Sequence, residues 1–398
     1  MSIINEIRMI SGPLIEEAKA LSLRTFHQQI DWQDRQIGIM GPKGVGKTTL
    51  LMQRMAQNEN SGLYLSLDHP LVSTTSTLSI AKQFYIEGGR NLFLDEVHKY
   101  AHWSEELKNI YDTLPALKVV FSGSSTVRLS AQGGDLSRRA SLYSMPVLSL
   151  REFIELESGH VFKPVKLGEL ISRHEEIARE ITAQLQPIPV FRRYLDHGAY
   201  PFYREGLARY PDKLRATVLY TIESDLVQVH QLEPRYIPKL KKLVQLLASE
   251  VPFTLNISAL AQSLDISRAT TLRYLELLEL GGILALLQRS GRGYQKISKP
   301  EKVYLDNTNL LHAFAAGKEE VGTVRETFAL SQLRASGQNA EAPARGDFLV
   351  NEKYTFEVGG RKKSKAQLTG ADTGYVFRDD IEVGSGSIIP LWLLGLLY

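Results

Sequence analysis

Ile37-Gly38-Ile39-Met40-Gly41-Pro42-Lys43-Gly44-Val45-Gly46-Lys47-Thr48-Thr49 is the stretch whose reading settles how this chain of 398 residues is organised. An apolar run ends in a glycine-rich turn that opens into the helical spacing of Thr49 to Gln57. The turn meets the pattern G-x-x-x-x-G-K-[ST] in the strand-then-helix context it requires. Chance would place that spacing in only about one or two chains per hundred of this length, before context is counted. Gly41, Gly44 and Gly46 permit positive φ, so backbone N–H groups can converge on one concavity at a helix N-terminus, where the helix dipole also favours an anion. Residues Gly41, Pro42, Lys43, Gly44, Val45, Gly46, Lys47, Thr48 and Thr49 are therefore expected to wrap a phosphate tail, that of ATP. Lys47 would reach the β and γ oxygens and the Thr48 hydroxyl would ligate Mg²⁺.

Working outward, further apolar runs alternate with helical segments: Ile37 to Met40, Leu63 to Leu67, Asn91 to Asp95, Val119 to Ser122 and Met145 to Leu150. Five buried runs with crossover helices predict an α/β domain with a parallel five-stranded sheet. The third run, Asn91-Leu-Phe-Leu-Asp95-Glu96, ends in two acids at the carboxyl edge of such a sheet, beside the phosphates. Asp95 is expected to hold Mg²⁺ through its water shell, and Glu96 to orient and deprotonate the attacking water. The fourth run ends in Ser122-Gly-Ser124-Ser125, where Ser122 or Ser124 would sense the γ-phosphate; a plain serine-glycine turn is the alternative. Arg138-Arg139 precedes the fifth run, and Arg139 is the candidate arginine finger, in cis or from a neighbouring copy; a solvated pair is the simpler meaning. His98 and His102 are four apart, but Lys99 stands where a zinc helix needs glutamate, so they are not read as metal ligands.

Composition bounds the rest. At 43% hydrophobic and 23% charged residues the chain falls in the globular class, large enough for two or three domains. No cysteine is present, which removes disulfides, thiol catalysis and cysteine-ligated metals, and fits a reducing compartment such as the cytoplasm. The N-terminus does not read as a signal peptide, and the eleven apolar residues Ile388 to Tyr398 fall short of a membrane span; they are expected to form a buried terminal strand. A net charge of +3 demands no polyanionic partner.

Residues 1–150 are thus read as the nucleotide domain and 151–248 as helices broken at Gly198 and Pro201, a lid or connector. Residues 249–306 follow a helix-turn-helix pattern: Asn256 caps a first helix, Ile257 to Leu264, and Ser267 a second, Arg268 to Leu280, ended by Gly281-Gly282. Arg268, Thr270, Thr271 and Arg273 would face phosphates or base edges, with a basic turn through Arg289 and Arg292, and Lys296 and Lys299 beyond it. Protein docking is the alternative for such a module. Residues 307–398 mix a helix near Val324 to Leu333 with strands at Asp347 to Val350 and Tyr354 to Val358, a small α+β unit.

Taken together, Gly41 to Thr48, Leu94-Asp95-Glu96-Val97-His98 with Trp103, Phe121 to Ser125, Arg139 with Leu150-Arg-Glu-Phe153, Gly198-Ala-Tyr-Pro201 and Lys299 to Tyr304 resemble a known pattern. It is that of the prokaryotic AAA-type ATPases whose C-terminal domain of unknown function combines a winged helix with a restriction-endonuclease-like half. The resemblance implies an ASCE-type P-loop core with nucleotide sensing near position 139. Glu326, Asp347 and Glu357 resemble the acidic framework of the endonuclease-like fold, but glycine stands at 359 where its lysine belongs, and Arg361, Lys362 and Lys363 are displaced. A degenerate, non-catalytic fold used for binding or assembly is expected, with Arg361 to Lys365 as a contact surface or a solvated loop. The expected function is an Mg²⁺-dependent ATPase working as a switch on DNA or a protein partner, as a monomer or a homo-oligomer. A DNA-binding regulator with little turnover and an ATP-dependent nuclease are the alternatives.

Overall fold

A computed structural model of the chain describes residues 2–58, 61–71, 75–127, 136, 138–249, 253–254, 256–291, 299–315, 317–361, 363 and 373–398. Arg292, Lys296, Lys362 and Lys365, named above as basic contacts, lie outside the described residues. The chain builds two compact units, one of Met1–Pro146 with Ser224–Leu232, the other of Val147–Glu223 with Glu233–Tyr398. The return of Ser224–Leu232 to the first unit has no counterpart in the linear order of segments read above.

In the first unit the apolar runs become a parallel sheet of β1 (Gln36–Gly41), β2 (Gly62–Ser66), β3 (Asn91–Asp95), β4 (Lys118–Ser124) and β5 (Ser141–Ser144), in the order β2-β3-β4-β1-β5. Parallel strands are covered on both faces by their crossover helices, which is why these runs are continuously apolar rather than alternating. β1 is buried along its whole length. The helix Ile3–Lys19 starts at Ser2, whose hydroxyl accepts the Asn5 amide, and its Ile4 and Ile7 join Leu63, Leu65, Leu92 and Phe84 in the core. β1 pairs with β4, and β4 with β3, so the C-terminal ends of these three strands come out along one edge. Such an edge is where open α/β sheets place their ligands.

The fifth strand is Ser141–Ser144, not Met145 to Leu150. Pro146 has no amide to give a ladder. Ser149 and Glu152 then form a capping box, each side chain bonding the other's backbone amide at 3.1 Å, which commits Leu150–Ser158 to helix by about 1 kcal/mol. Two serines are tolerated in β5 because it is the edge strand and pairs with β1 alone.

In the second unit, helices run from Leu150 to His197, where Gly198 caps the last, and a 3₁₀ turn starts at Pro201. Ile257–Leu264 and Arg268–Leu280 form two helices with Asn256 and Ser267 as caps, preceded by β6 (Phe253–Thr254) and followed by β7 (Leu284–Leu287) and β8 (Lys302–Leu305), which together make an antiparallel sheet ordered β6-β8-β7. A mixed sheet of β9 (Ala340–Glu341), β10 (Phe348–Val350), β11 (Tyr354–Gly359), β12 (Gly374–Arg378) and β13 (Ile388–Pro390) packs against the helix Val321–Ala335. The terminal segment is buried, but only Ile388–Pro390 is strand; after Pro390, whose ring removes the next ladder donor, Leu391–Leu396 winds into a buried 3₁₀ helix. No helix among the described residues is long and apolar enough to cross a membrane.

Candidate active site

The glycine-rich turn has the backbone its sequence demands. Gly44 and Gly46 have φ of +86° and +99°, and Gly46 is the left-handed residue that starts the helix Lys47–Ala56. Gly41 is required for room instead: a Cβ there would lie 2.5 Å from the Met145 carbonyl oxygen. Lys47 is buried inside the turn, its ammonium donating to the Gly41 and Pro42 carbonyls at 2.9 Å each. Burial pushes its pKa below the usual lysine value, against the opposing pull of the Glu96, Asp95 and Asp225 carboxylates. Arg24 braces the outside of the turn through the carbonyls of Val45, at 3.1 Å, and Pro146, at 2.7 Å.

Asp95, at the end of β3, collects three hydroxyls. Thr48 at 2.6 Å and Tyr64 at 2.8 Å donate to Oδ2, and Ser122 donates to Oδ1. Burial first, and then the Asp95 charge, holds the Tyr64 phenol far above its ordinary pKa, so it stays a donor. Thr48, from the loop helix, and Asp95, from the sheet edge, thus bring their side-chain oxygens together. Magnesium takes one or two carboxylates together with phosphate oxygens and water, and this pair fits that demand. Among the described residues no cluster of three or more His, Cys, Asp or Glu side chains offers a competing metal site.

Glu96 follows in a left-handed conformation, φ +51°, which costs a non-glycine residue on the order of 1 kcal/mol and turns its carboxylate out of the strand. Its amide donates to Ser122 Oγ at 3.3 Å. A cavity of about 390 Å³ opens onto Thr48, Asp95 and Glu96, with Ile7, Ile10 and Leu14 as an apolar wall. His98 lies beside Glu96, with Nε2 3.2 Å from Asp225 Oδ1 and Nδ1 3.4 Å from Glu96 Oε2. Lys99 donates to the same Asp225 oxygen at 2.8 Å and to Ser224 Oγ at 2.7 Å. Burial alone would raise the Asp225 pKa, but the hydrogen bonds and charges of His98 and Lys99 outweigh it and bring it to about 2. His102, by contrast, is exposed beside Glu105 at 3.6 Å.

The structure brings Gly41 to Thr49, Asp95, Glu96 and both serines to one edge. Ser122 is the serine on the acids; Ser124 is buried level with Gly41 and gives its amide to His98 Nδ1 at 3.4 Å. Arg139 does not join them within the chain. Ser141 is level with Ile37, four positions before Gly41, roughly 13 Å along the strand, and Arg139 lies further back still. There its guanidinium is held in a fork by both Asp112 oxygens at 2.9 and 3.0 Å. A finger acting in cis is excluded by that strand direction. Tyr64 and Asp225 escape sequence reasoning. Tyr64 left a trace, a polar-tipped ring in an otherwise aliphatic strand, whereas Asp225 is 127 residues from His98 and no local spacing marks it.

On the second helix of the 257–280 pair, Arg268 and Arg273 are exposed, Arg273 lying 3.5 Å from Glu276, and Arg289 is exposed beyond β7. Thr271 is not available to a partner: it is fully buried, its hydroxyl bonded to the Ser267 carbonyl at 3.0 Å. Glu326, on the helix Val321–Ala335, and Glu357, on β11, both lie close enough to Asp347 for their charges to act on it, but the three do not form a metal-binding group. Lys302 lies 3.1 Å from Glu326 and 3.9 Å from Asp347, and Tyr304 donates to Glu326 at 2.6 Å. Burial, reinforced by the Glu326 charge, pushes Asp347 up to about 6. The displacement of the lysines in sequence is undone in space for one of them. Lys363 bonds the fully buried Glu357 at 2.5 Å, and its Cγ lies 2.6 Å from where a side chain at Gly359 would begin.

Residues 33–154 match the family model described as an AAA domain, and residues 188–320 the model described as a domain of unknown function (DUF8612). A relative named Uncharacterized protein MJ1637, from Methanocaldococcus jannaschii, is 27% identical over 395 residues, covering 89% of this chain and 83% of its own. Similar solved structures include the RuvB Holliday junction branch migration motor of Thermotoga maritima, 16% identical over 71% of this chain and 90% of that one, with a TM-score of 0.27. AMPPCP-bound DnaA from Aquifex aeolicus is 16% identical over 70% of this chain and 89% of that one, also with a TM-score of 0.27. The first matched span takes in all five parallel strands, the glycine-rich turn and the two acids after β3. Over residues 33–154 this chain is thus similar to the AAA domain, and the matched span carries a parallel five-stranded α/β sheet.

Proposed function

We propose that this protein binds MgATP at Gly41 to Thr49, hydrolyses it with Glu96 as general base, and uses the change of nucleotide as a switch on DNA or a protein partner. The observation that carries the reading is the meeting of Thr48 and Asp95 at 2.6 Å, with Glu96 next in sequence and turned towards the same cavity. Lys47 and the loop amides would hold the β and γ phosphates. Mg²⁺, held by Thr48 and Asp95, would supply charge neutralisation there. Glu96 would accept the proton of the attacking water, since the oxygens of Asp95 are already taken by three hydroxyls. A switch requires that the nucleotide make different contacts in the two states, and the γ-phosphate is the group that changes. Steady-state phosphate release by the purified chain, with and without duplex DNA, tests this. Turnover raised by DNA assigns the partner to the Arg268, Arg273 and Arg289 face, and turnover indifferent to DNA assigns a protein partner. Nucleotide binding without turnover would leave the chain a DNA-binding regulator.

One observation favours a second reading, cleavage of nucleic acid by the C-terminal sheet: Lys363 supplies an ammonium at Glu357 despite the glycine at 359. Against it, Lys302 already neutralises Glu326 and Asp347, which removes charge that a divalent cation needs. Supercoiled plasmid is therefore expected to stay intact on incubation with Mg²⁺ or Mn²⁺, with or without ATP. Nicking that Glu357→Ala removes would reverse the assignment.

A further inference from the structure

We infer that Tyr64 is a positioning residue for Asp95, fixing that carboxylate for Mg²⁺ and against the larger Ca²⁺; this rests on the nucleotide-binding part of the reading above. The order of the sheet carries the first step. β3 runs between β2 and β4, and Asp95 at its end takes one hydroxyl from each neighbour, Tyr64 of β2 at 2.8 Å and Ser122 of β4. Ser66, not Tyr64, is the residue level with Asp95 across the β2–β3 ladder. Tyr64 stands two positions earlier on the same face, roughly 6.6 Å back along the strand, a gap that a ring with a polar tip can span and a short hydroxyl cannot. The Ser66 hydroxyl bonds Asp68 at 2.5 Å instead.

Asp95 is left with little freedom. An ionised carboxylate offers about four lone-pair sites. Thr48 and Tyr64 fill those of Oδ2, and Ser122 takes one on Oδ1, which leaves room for a single further donor, such as a water of a hydrated ion. Thr48 belongs to the loop that would meet the nucleotide. Tyr64 belongs to the sheet: it is buried, and Leu67, three residues on, gives its amide to the Asp95 carbonyl at 2.9 Å. The grip on Oδ2 from the β2 side therefore persists whatever Thr48 does. That rigidity separates the two cations. Mg²⁺ demands near-ideal octahedral geometry and keeps several waters, while Ca²⁺ accepts more oxygens in a flexible arrangement, carboxylates among them. A carboxylate clamped from both sides and nearly filled suits the first ion, and one set loose suits the second.

Tyr64→Phe removes the hydroxyl and keeps the ring, so the strand stays packed. Calorimetric titration of the full chain with a non-hydrolysable ATP analogue, in EDTA, in Mg²⁺ and in Ca²⁺, reads the effect on binding alone. In the variant, affinity with Mg²⁺ is expected to fall about 10- to 100-fold, the range seen when a partner that orients a metal-holding group is removed. Affinity in EDTA should stay within about twofold and affinity with Ca²⁺ within about threefold, because neither depends on a rigid Asp95. If affinity in EDTA falls in step with that in Mg²⁺, Tyr64 merely holds the fold and the inference is lost. An equal fall with Ca²⁺ removes the selectivity. If Tyr64→Phe matches the wild type in all three titrations while Asp95→Asn loses the gain from Mg²⁺, the positioning role is lost and the functional reading stands. If the wild-type chain binds the analogue no better with Mg²⁺ than in EDTA, Asp95 serves no cation and Tyr64 has nothing to position. Binding under none of the three conditions would bring down the reading of the site, and the inference with it.

Discussion

Lys47→Ala should weaken binding of MgATP and MgADP roughly 100-fold or more, while the nucleotide-free protein unfolds at the same temperature or slightly higher. A hydrogen bond from an ammonium to a charged group contributes about 1.5–3 kcal/mol, and each ~1.4 kcal/mol is a factor of ten in Kd. Lys47 stands inside the curl of the loop, where a phosphate tail would run, so its contribution falls at the upper end. The unliganded protein meanwhile carries a cost, because burial depresses this lysine's pKa and so disfavours its charged form. Alanine removes that cost and leaves the Gly41 and Pro42 carbonyls short of one donor, two small effects of opposite sign. Calorimetry measures the affinity. Thermal scans give the second arm: at 100 times its Kd a ligand stabilises by about 2.7 kcal/mol, and that shift should vanish in the variant. A variant that folds and still binds at full strength would remove the glycine-rich turn from the nucleotide site, and the functional reading with it.

What could be read from the chain beforehand follows the distance over which each feature is encoded. The phosphate loop and the Asn91 to Glu96 run are local, their geometry dictated by residues a few positions apart, and both emerge at the sheet edge where their spacing puts them. Met145 to Leu150 misled because apolar content was weighed above Pro146 and the Ser149–Glu152 capping box, which the sequence also displays. Thr271 misled for a similar reason: positions 271, 274, 275 and 278 form one helical stripe with Tyr274, Leu275 and Leu278, so its burial was written in the spacing. Arg139 needed the direction of β5 before its distance from the loop could be known. Some motif residues turn out to hold the second unit together. Arg151, buried, bonds the Tyr398 carbonyl at 3.0 Å, and the Ala199 amide bonds Asn309 at 2.8 Å, an asparagine that also grips the Tyr194 and Leu195 carbonyls. Asp225 lay beyond any reading by spacing, because only the return of the chain to the first unit brings it to His98.

Glu96→Gln should leave nucleotide affinity unchanged or slightly tighter and cut phosphate release about 10²- to 10⁴-fold, the usual worth of a positioned general base. The side chain keeps its size, and its left-handed backbone and amide bond to Ser122 do not depend on the carboxylate, so the site should stay formed. In the proposed site binding would be carried by Lys47, the loop amides and Thr48, none of which bonds Glu96, and removing a negative charge beside the phosphates would lower repulsion. The loss in rate cannot be made good by the neighbouring acid. Both Asp95 oxygens already accept hydrogen bonds, from Thr48, Tyr64 and Ser122, so that carboxylate has little capacity left to take a proton from water. Nucleotide affinity and single-turnover phosphate release, measured on one preparation, separate the two quantities. Loss of both in parallel would make Glu96 a ligand of the nucleotide or its cation rather than a base. Full turnover in the variant would move the proton acceptor elsewhere.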